Sequence, residues 1–364
     1  MRPGPYARLL ETLALVRGNP ASAHSVGQAA KGLLEEARAE IAGHIGRLPA
    51  EVIFTSGATE AMNTAILGPR LPEGAVILAN PIEHACALSA IGRRGAPVEW
   101  LPLDGSGRVD TAAAARMIGA AGLRMGMLVV MAANNETGVV EPVAELAAAA
   151  RAANPAAVVV SDAAAYAPAG RLAEVAGHAD LLAIAVHKLG GPAGIGVLVR
   201  RSTLPLDGLL TGGAQEYGVR AGTAPAALAA SAAAAIVEVA SGGLPGEIAG
   251  LRDRFEERVL SLLPGLRIAG AGAERTGVTC LLLPGLRSED LLFLLDEAGV
   301  AASSGAACAS GALEPSHVLL AMGFGKSEAL SSLRFSYGYG NTASEIDYAA
   351  GALAEAVEKL GGVR

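Results

Sequence analysis

The chain has 364 residues, 52% hydrophobic and 17% charged, enough to bury a large core as two domains or as one large domain with an appendage. With 28 basic against 35 acidic residues the net charge is −7, and no basic block offers the phosphate-binding footprint of a nucleic-acid partner. No apolar run has the character of a membrane span, no signal-peptide pattern opens the chain, and three widely spaced cysteines (Cys86, Cys280, Cys308) suit a reducing cytoplasm without disulfides.

In chain order, the runs EVIFT (51–55), AVILAN (75–80), VEWLPL (98–103), MLVVMA (127–132), AVVVSD (157–162), LLAIAV (181–186) and GVLVRR (196–201) read as strands apolar on both faces. Helical stretches near 57–67, 111–120 and 142–153 separate most of them. That alternation predicts an α/β fold with a mostly parallel central sheet and helices on both faces. Only a glycine loop joins LLAIAV to GVLVRR, too short for a crossover helix, so this pair is expected to be antiparallel. The alanine-rich stretch 224–240 reads as a buried helix, and SGGLPG (241–246) is a breaker cluster. It suggests a large domain over 18–240 and a smaller C-terminal α+β domain over 241–364, with 1–17 packed against the smaller one. The small domain is expected to hold helices near 247–262, 288–298 and 342–360 and strands near 278–283 and 332–338.

Ligands of α/β sheets collect outside the carboxyl ends of the strands, so the polar residues found there belong together. FTSGATE (54–60) makes a strand-to-helix turn with Gly57 and Thr59, whose free amides and positive helix end suit a phosphate. PIEHA supplies His84, MAANNETG supplies Asn134 and Asn135, VVVSDAA supplies Asp162, and AVHKL supplies His187 and Lys188. An aspartate ending a buried run needs a cation beside it. A partly desolvated lysine is an amine nucleophile able to form a Schiff base. Phosphate site, aspartate and lysine together match pyridoxal 5'-phosphate, whose ring nitrogen needs a carboxylate and whose aldehyde needs a lysine. Cys86 and Cys280 read as small buried hydrophobes.

Eight segments in order resemble the cysteine desulfurases of the NifS/IscS type: GNPASAHSVGQ (18–28), FTSGATEAMN (54–63), EHA (83–85), NNETGVV (134–140), HKLGGPAGIG (187–196), RAGT (220–223), SSGAACASGALEPSHVLLAMG (303–323) and LRFSYG (333–338). The resemblance implies a fold-type I, class V aminotransferase-like enzyme that uses pyridoxal 5'-phosphate and no metal. It would convert L-cysteine to L-alanine and supply sulfur for iron–sulfur cluster assembly or thiolation. Lys188 would bind the cofactor aldehyde, Asp162 would pair the pyridine nitrogen, and His84 would stack on the ring and serve catalysis. Gly57, Ala58, Thr59 and His187 would hold the phosphate, and Thr223 the phosphate of a neighbouring subunit. Asn135 would approach the phenolic oxygen and the substrate, Arg334 would grip the substrate carboxylate, and Cys308, on a mobile loop, would take the sulfur as a persulfide. A cytoplasmic homodimer is implied, with a sulfur acceptor or iron–sulfur scaffold as partner; the alanine-rich helices, which a monomer would expose, point to a dimer as well.

The chain departs from the family pattern around the cofactor. Ala165 stands where a glutamine touches the phenolic oxygen, and Ala185 where a serine bonds the phosphate. Thr211, Gln215 and Tyr217 alter a glycine-rich segment, and the chain begins at MRPGP, where the family's opening strand would just have ended. The two lost side-chain contacts imply cofactor retention weakened by about 2–4 kcal/mol. Two alternatives stay open: a selenocysteine lyase or other class V enzyme, which Cys308 disfavours, and a desulfurase-like binding subunit paired with a complete homologue, which these departures favour.

Overall fold

The computed structural model describes residues 1–242, 244–305, 307–309 and 312–361, without the side chains of 244, 245, 307–309, 312 and 313. The chain divides into two compact units, one of residues 1–102, 110–133 and 141–242, the other of 103–109, 134–140 and 243–364.

The first unit runs α1 (Pro3–Leu15), α2 (Ser25–Ile45), β1 (Val52–Thr55), α3 (Ala58–Leu67), β2 (Val76–Ala79), α4 (Ala85–Arg94), β3 (Val98–Trp100), α5 (Thr111–Ala121), β4 (Met125–Val129), α6 (Val143–Ala153), β5 (Val158–Asp162), α7 (Leu172–Ala176), β6 (Leu181–Ala185), β7 (Gly196–Arg200) and α8 (Ala226–Ser241). Its seven strands form one sheet in the order β1-β7-β6-β5-β4-β2-β3. Pairing is parallel from β6 through β3, and only β7 runs against its neighbours β6 and β1. The antiparallel β6–β7 pair follows from the glycine loop between them, which turns the chain directly back. The strands β1, β2 and β4–β6 are buried throughout, as their unbroken apolar runs require. Ile53, Met62, Ile77, Met127, Val160 and Leu198 lie in one core cluster beneath α3 and α4.

Residues 1–17 do not join the C-terminal unit, where the sequence reading placed them. Helix α1 packs on α8 in the first unit. Ser231 Oγ donates to Pro5 O at 2.7 Å, and the Arg2 amide to Gly190 O at 2.8 Å. The alanines of α8 allow this close packing, because helices approach closely where side chains are small. With α2 on α8 as well, Ala229, Ala232, Ala233 and Ala235 are fully buried within this one chain. The alanine-rich helix therefore supplies no argument for a dimer.

The second unit contains α9 (Leu244–Leu262), β8 (Arg267–Ala269), β9 (Val278–Leu282), α10 (Ser288–Glu297), β10 (Ser303–Ser304), β11 (Ala307–Ala309), β12 (Ala312–Glu314), α11 (His317–Ala321), α12 (Lys326–Leu330), β13 (Ser332–Ser336) and α13 (Ala343–Lys359). Its main sheet is antiparallel in the order β10-β13-β9-β8, with Phe255, Leu281, Leu291, Leu333, Phe335 and Leu353 in its core. β11 and β12 form a separate hairpin. Segments 103–109 and 134–140, assigned from sequence to the large domain, belong here. The pairing is long-range: the Thr276 amide donates to Gly138 O at 2.8 Å and the Val140 amide to Glu274 O at 2.9 Å. Among the described residues, no single helix is long and apolar enough to cross a membrane.

Candidate active site

Because β1, β2, β5 and β6 point the same way, their carboxyl ends bring the turn after β1, His84, Asp162 and Lys188 to one edge of the first unit's sheet. α3 starts at Ala58 with Gly57 as its N-cap, and no side chain caps it. The amides of Ala58 and Thr59 thus lie in a first turn that has no intrahelical acceptors, the arrangement that attracts a phosphate. Gly196 pairs with both Ala185 and Thr55, and a Cβ there would stand 2.5 Å from the Gly57 carbonyl carbon. Only glycine lets the lysine-bearing strand end and the phosphate turn pass this closely. Glu60, in the same turn of α3, accepts from the Ser56 amide at 2.7 Å and from Arg220 at 3.1 Å. Burial alone would raise its carboxyl, but these bonds outweigh that and hold it below the usual range.

Asp162 ends β5 with only 5% of its surface exposed. Burial raises its carboxyl, while the Ala164 amide, donating at 2.8 Å, and the charges of Lys188 and His84 act in the opposite direction. Glu83, fully buried, accepts from the Met131 amide, and burial together with the Asp162 charge pushes it well above the carboxylate range. β6 passes into a single helical turn, Val186–Leu189, that carries His187 and Lys188. Both are exposed. The expected desolvation of the lysine is thus not observed; what marks its position is the strand end and the charge of Asp162. Burial and the Lys188 charge lower His187. A glycine-capped helix start, a buried carboxylate and an accessible amine fit the phosphate, ring nitrogen and aldehyde of pyridoxal phosphate. Ala165 is half-buried and Ala185 fully buried at the same strand ends.

The segment leading to RAGT is held by an ion pair, Arg38–Glu216, that the sequence reading missed. Glu216 and Tyr217 adopt left-handed backbone, φ 47° and 56°, which costs roughly 1–3 kcal/mol per non-glycine residue. Arg38 of α2 holds them in place. Its guanidinium makes two 2.9 Å bonds to Glu216, a third to Val52 O, and stacks over Tyr217 at 5.1 Å. Glu216 also accepts from the Phe54 amide at 2.7 Å, one residue before β1 ends. Gln215 accepts from the Gly222 amide at 3.1 Å, leaving Thr223 exposed beside it. Both charges of the pair are 2% exposed. Glu216→Ala is therefore expected to lower the unfolding free energy by about 3–5 kcal/mol in denaturant titration, and the double change Arg38→Met, Glu216→Leu by much less.

Asn135 and Arg334 lie in the second unit. Arg334, on β13, donates through Nη1 to Asn135 O at 3.1 Å, while its buried Nε has no hydrogen-bond partner among the described residues. A guanidinium with a donor to spare suits a carboxylate. Asn134 is a turn builder: its side-chain oxygen accepts from the Glu136 amide at 2.8 Å and the Thr137 amide at 3.0 Å. Cys308 lies in β11 opposite Leu313; its side chain falls outside the described residues. Cys280 is the expected buried hydrophobe, pushed by burial to about 12. Cys86 is not. It is half-buried, and its Sγ lies 3.0 Å from His84 Nδ1.

The family model for class-V aminotransferases matches residues 6–349. A cysteine desulfurase of Cereibacter sphaeroides is 37% identical over 353 residues, covering 94% of this chain and 89% of the relative. An IscS-like cysteine desulfurase of Mycobacterium tuberculosis is 35% identical, covering 96% and 93%. Among solved structures, a NifS-like protein from Rickettsia africae superposes with TM-score 0.86 at 26% identity, covering 98% of this chain and 96% of that one. The apo cysteine desulfurase of Thermococcus onnurineus gives 0.84 at 25% identity, covering 98% and 92%. These matches span both units and agree with the mixed sheet: the chain belongs to the class-V aminotransferase family, within its cysteine desulfurase branch.

Proposed function

We infer that the protein is a pyridoxal phosphate-dependent cysteine desulfurase that converts L-cysteine to L-alanine. One observation carries the reading: the uncapped N-terminus of α3, the buried Asp162 and the amine of Lys188 meet at a single sheet edge. The desulfurase names of the relatives agree with it. The selenocysteine lyase and binding-subunit alternatives draw no support from these comparisons.

When bound, pyridoxal phosphate supplies an aldehyde that captures an amine and a ring that takes up electrons. The chain's own residues do the rest. Amides of the Gly57–Thr59 turn, with His187, would bind the phosphate; Asp162 would face the ring nitrogen; Lys188 would anchor the aldehyde and supply an amine able to carry a proton. His84 covers the ring, Arg334 binds the substrate carboxylate, and Asn135 orients the substrate. The Cys308 thiolate would attack the sulfur of L-cysteine, the S–S bond of a persulfide forming as the Cβ–S bond breaks and its electron pair leaves with the carbon skeleton, which takes up a proton to become L-alanine. Cys86 and Cys280 are unsuited to that role, since burial holds both as neutral thiols at about 11 and 12. The exposed Thr223 supports a homodimer in which it reaches the partner's phosphate. A sulfur-acceptor or scaffold protein in the cytoplasm completes the reading.

The test is direct. Purified protein with added pyridoxal phosphate and a reductant is expected to release alanine and sulfide from L-cysteine in equal amounts. Cofactor that binds without alanine release would overturn the assignment, and release from selenocysteine alone would favour the lyase.

A further inference from the structure

We propose that Cys86 is a positioning residue for His84, its thiol fixing the histidine's orientation and keeping the proton of the neutral ring on Nε2. The inference rests on His84 being the ring-facing histidine of the proposed site.

The geometry is local and complete within the first unit. His84 is the N-cap of α4, a position usually held by Ser, Thr, Asp or Asn. It caps with Nδ1, which accepts the Cys86 amide at 3.2 Å. A nitrogen that accepts a backbone N–H cannot carry a proton itself, so the neutral ring holds its proton on Nε2. The Cys86 sulfur lies 3.0 Å from the same Nδ1. For that contact to be a hydrogen bond, the thiol must keep its proton, and it does. Burial, then the negative charges of Asp162 and Glu83, push Cys86 to about 11, although a hydrogen bond with the Thr59 side chain pulls the other way. The thiol thus donates to Nδ1 beside the backbone amide. A small hydrophobe at position 86 would leave the cap intact but remove the second donor.

Protonation of His84 is linked to these bonds. Placing a proton on Nδ1 breaks both, so the thiol favours the neutral ring. The charges facing this position are Asp162 from β5, which favours the imidazolium, Glu83, whose carboxyl burial and the Asp162 charge push well above the usual range, and Lys188 from the turn after β6. None of them is altered by changing Cys86.

The experiment is nitrogen NMR of the full-length protein labelled at histidine, cofactor-free and loaded, with His84→Gln used to assign the signal. Neutral His84 is expected as the Nε2–H tautomer. Cys86→Ala is expected to raise the His84 pKa by about 0.4–1 unit, the value of one neutral hydrogen bond, with the tautomer unchanged. Cys86→Ser, which keeps a donor, is expected to return the pKa toward wild type. An Nδ1–H tautomer in the wild type, or identical titration of wild type and Cys86→Ala, would overturn the proposal. Failure of the desulfurase reading shows separately, as absent alanine release with these titrations intact.

Discussion

Cys308→Ser is expected to reduce persulfide and sulfide production by roughly 10³-fold or more while leaving cofactor binding unchanged. A hydroxyl at this position is a far weaker nucleophile than a thiolate, and removal of a covalent nucleophile leaves only binding and electrostatic contributions to the rate. Retention of cofactor follows from where the residues lie. The phosphate turn, Asp162 and Lys188 belong to the first unit, whereas Cys308 is in the β11–β12 hairpin of the second. The measurement is persulfide trapping and sulfide release beside the visible spectrum of the bound cofactor. Cofactor-dependent sulfide release close to wild type would reject Cys308 as the acceptor and reopen the choice of cysteine, despite the raised thiols of Cys86 and Cys280.

The second large effect is expected at Lys188. Lys188→Ala should abolish covalent attachment, so that the cofactor is lost on dialysis where wild type retains it, and turnover falls by about 10²–10⁴-fold beyond the occupancy loss because a proton carrier is missing. The fold should be unaffected. Lys188 is exposed on a one-turn helix, and an exposed substitution away from caps and cores costs within about 0.5 kcal/mol. The loss of its positive charge also removes one of the influences that lower Asp162, so the Asp162 carboxyl is expected to titrate higher in the variant. Far-UV dichroism and denaturant titration check the fold, and absorbance after dialysis checks the attachment. A variant that keeps covalently held cofactor would place the anchor on another lysine.

Much of the site was legible in the sequence because its parts are local. Unbroken apolar runs of four to six residues read as strands buried on both faces, and the residues that end them read as the ligand edge; Gly57, Thr59, His84, Asp162, His187 and Lys188 all lie there. The antiparallel β6–β7 pair was legible for the same reason, since a short glycine loop leaves the chain no other way to return. The cap formed by His84 on the Cys86 amide is equally local, yet it escaped notice because histidine is an uncommon cap and Cys86 reads as an apolar residue.

Other features were decided only by tertiary structure. Helical and strand periodicity says which face of an element is buried, and nothing about which distant segment covers it. Thus β1 at the sheet edge pairs with β7 across most of the unit, α1 settles on α8, segment 103–109 falls in the second unit, and segment 134–140 joins that unit through pairings with residues near 275. Arg38 and Glu216 are 178 positions apart, and neither residue's neighbours announce a buried ion pair or a left-handed turn. Burial of a charge is stable only with a partner, and the fold chose that partner by bringing α2 and the 211–218 segment together around the end of β1. Even the exposure of Lys188 belongs to this class. The sequence by itself determined that a lysine ends a buried strand beside a glycine loop; the turn from Val186 to Leu189 decided that this residue is exposed.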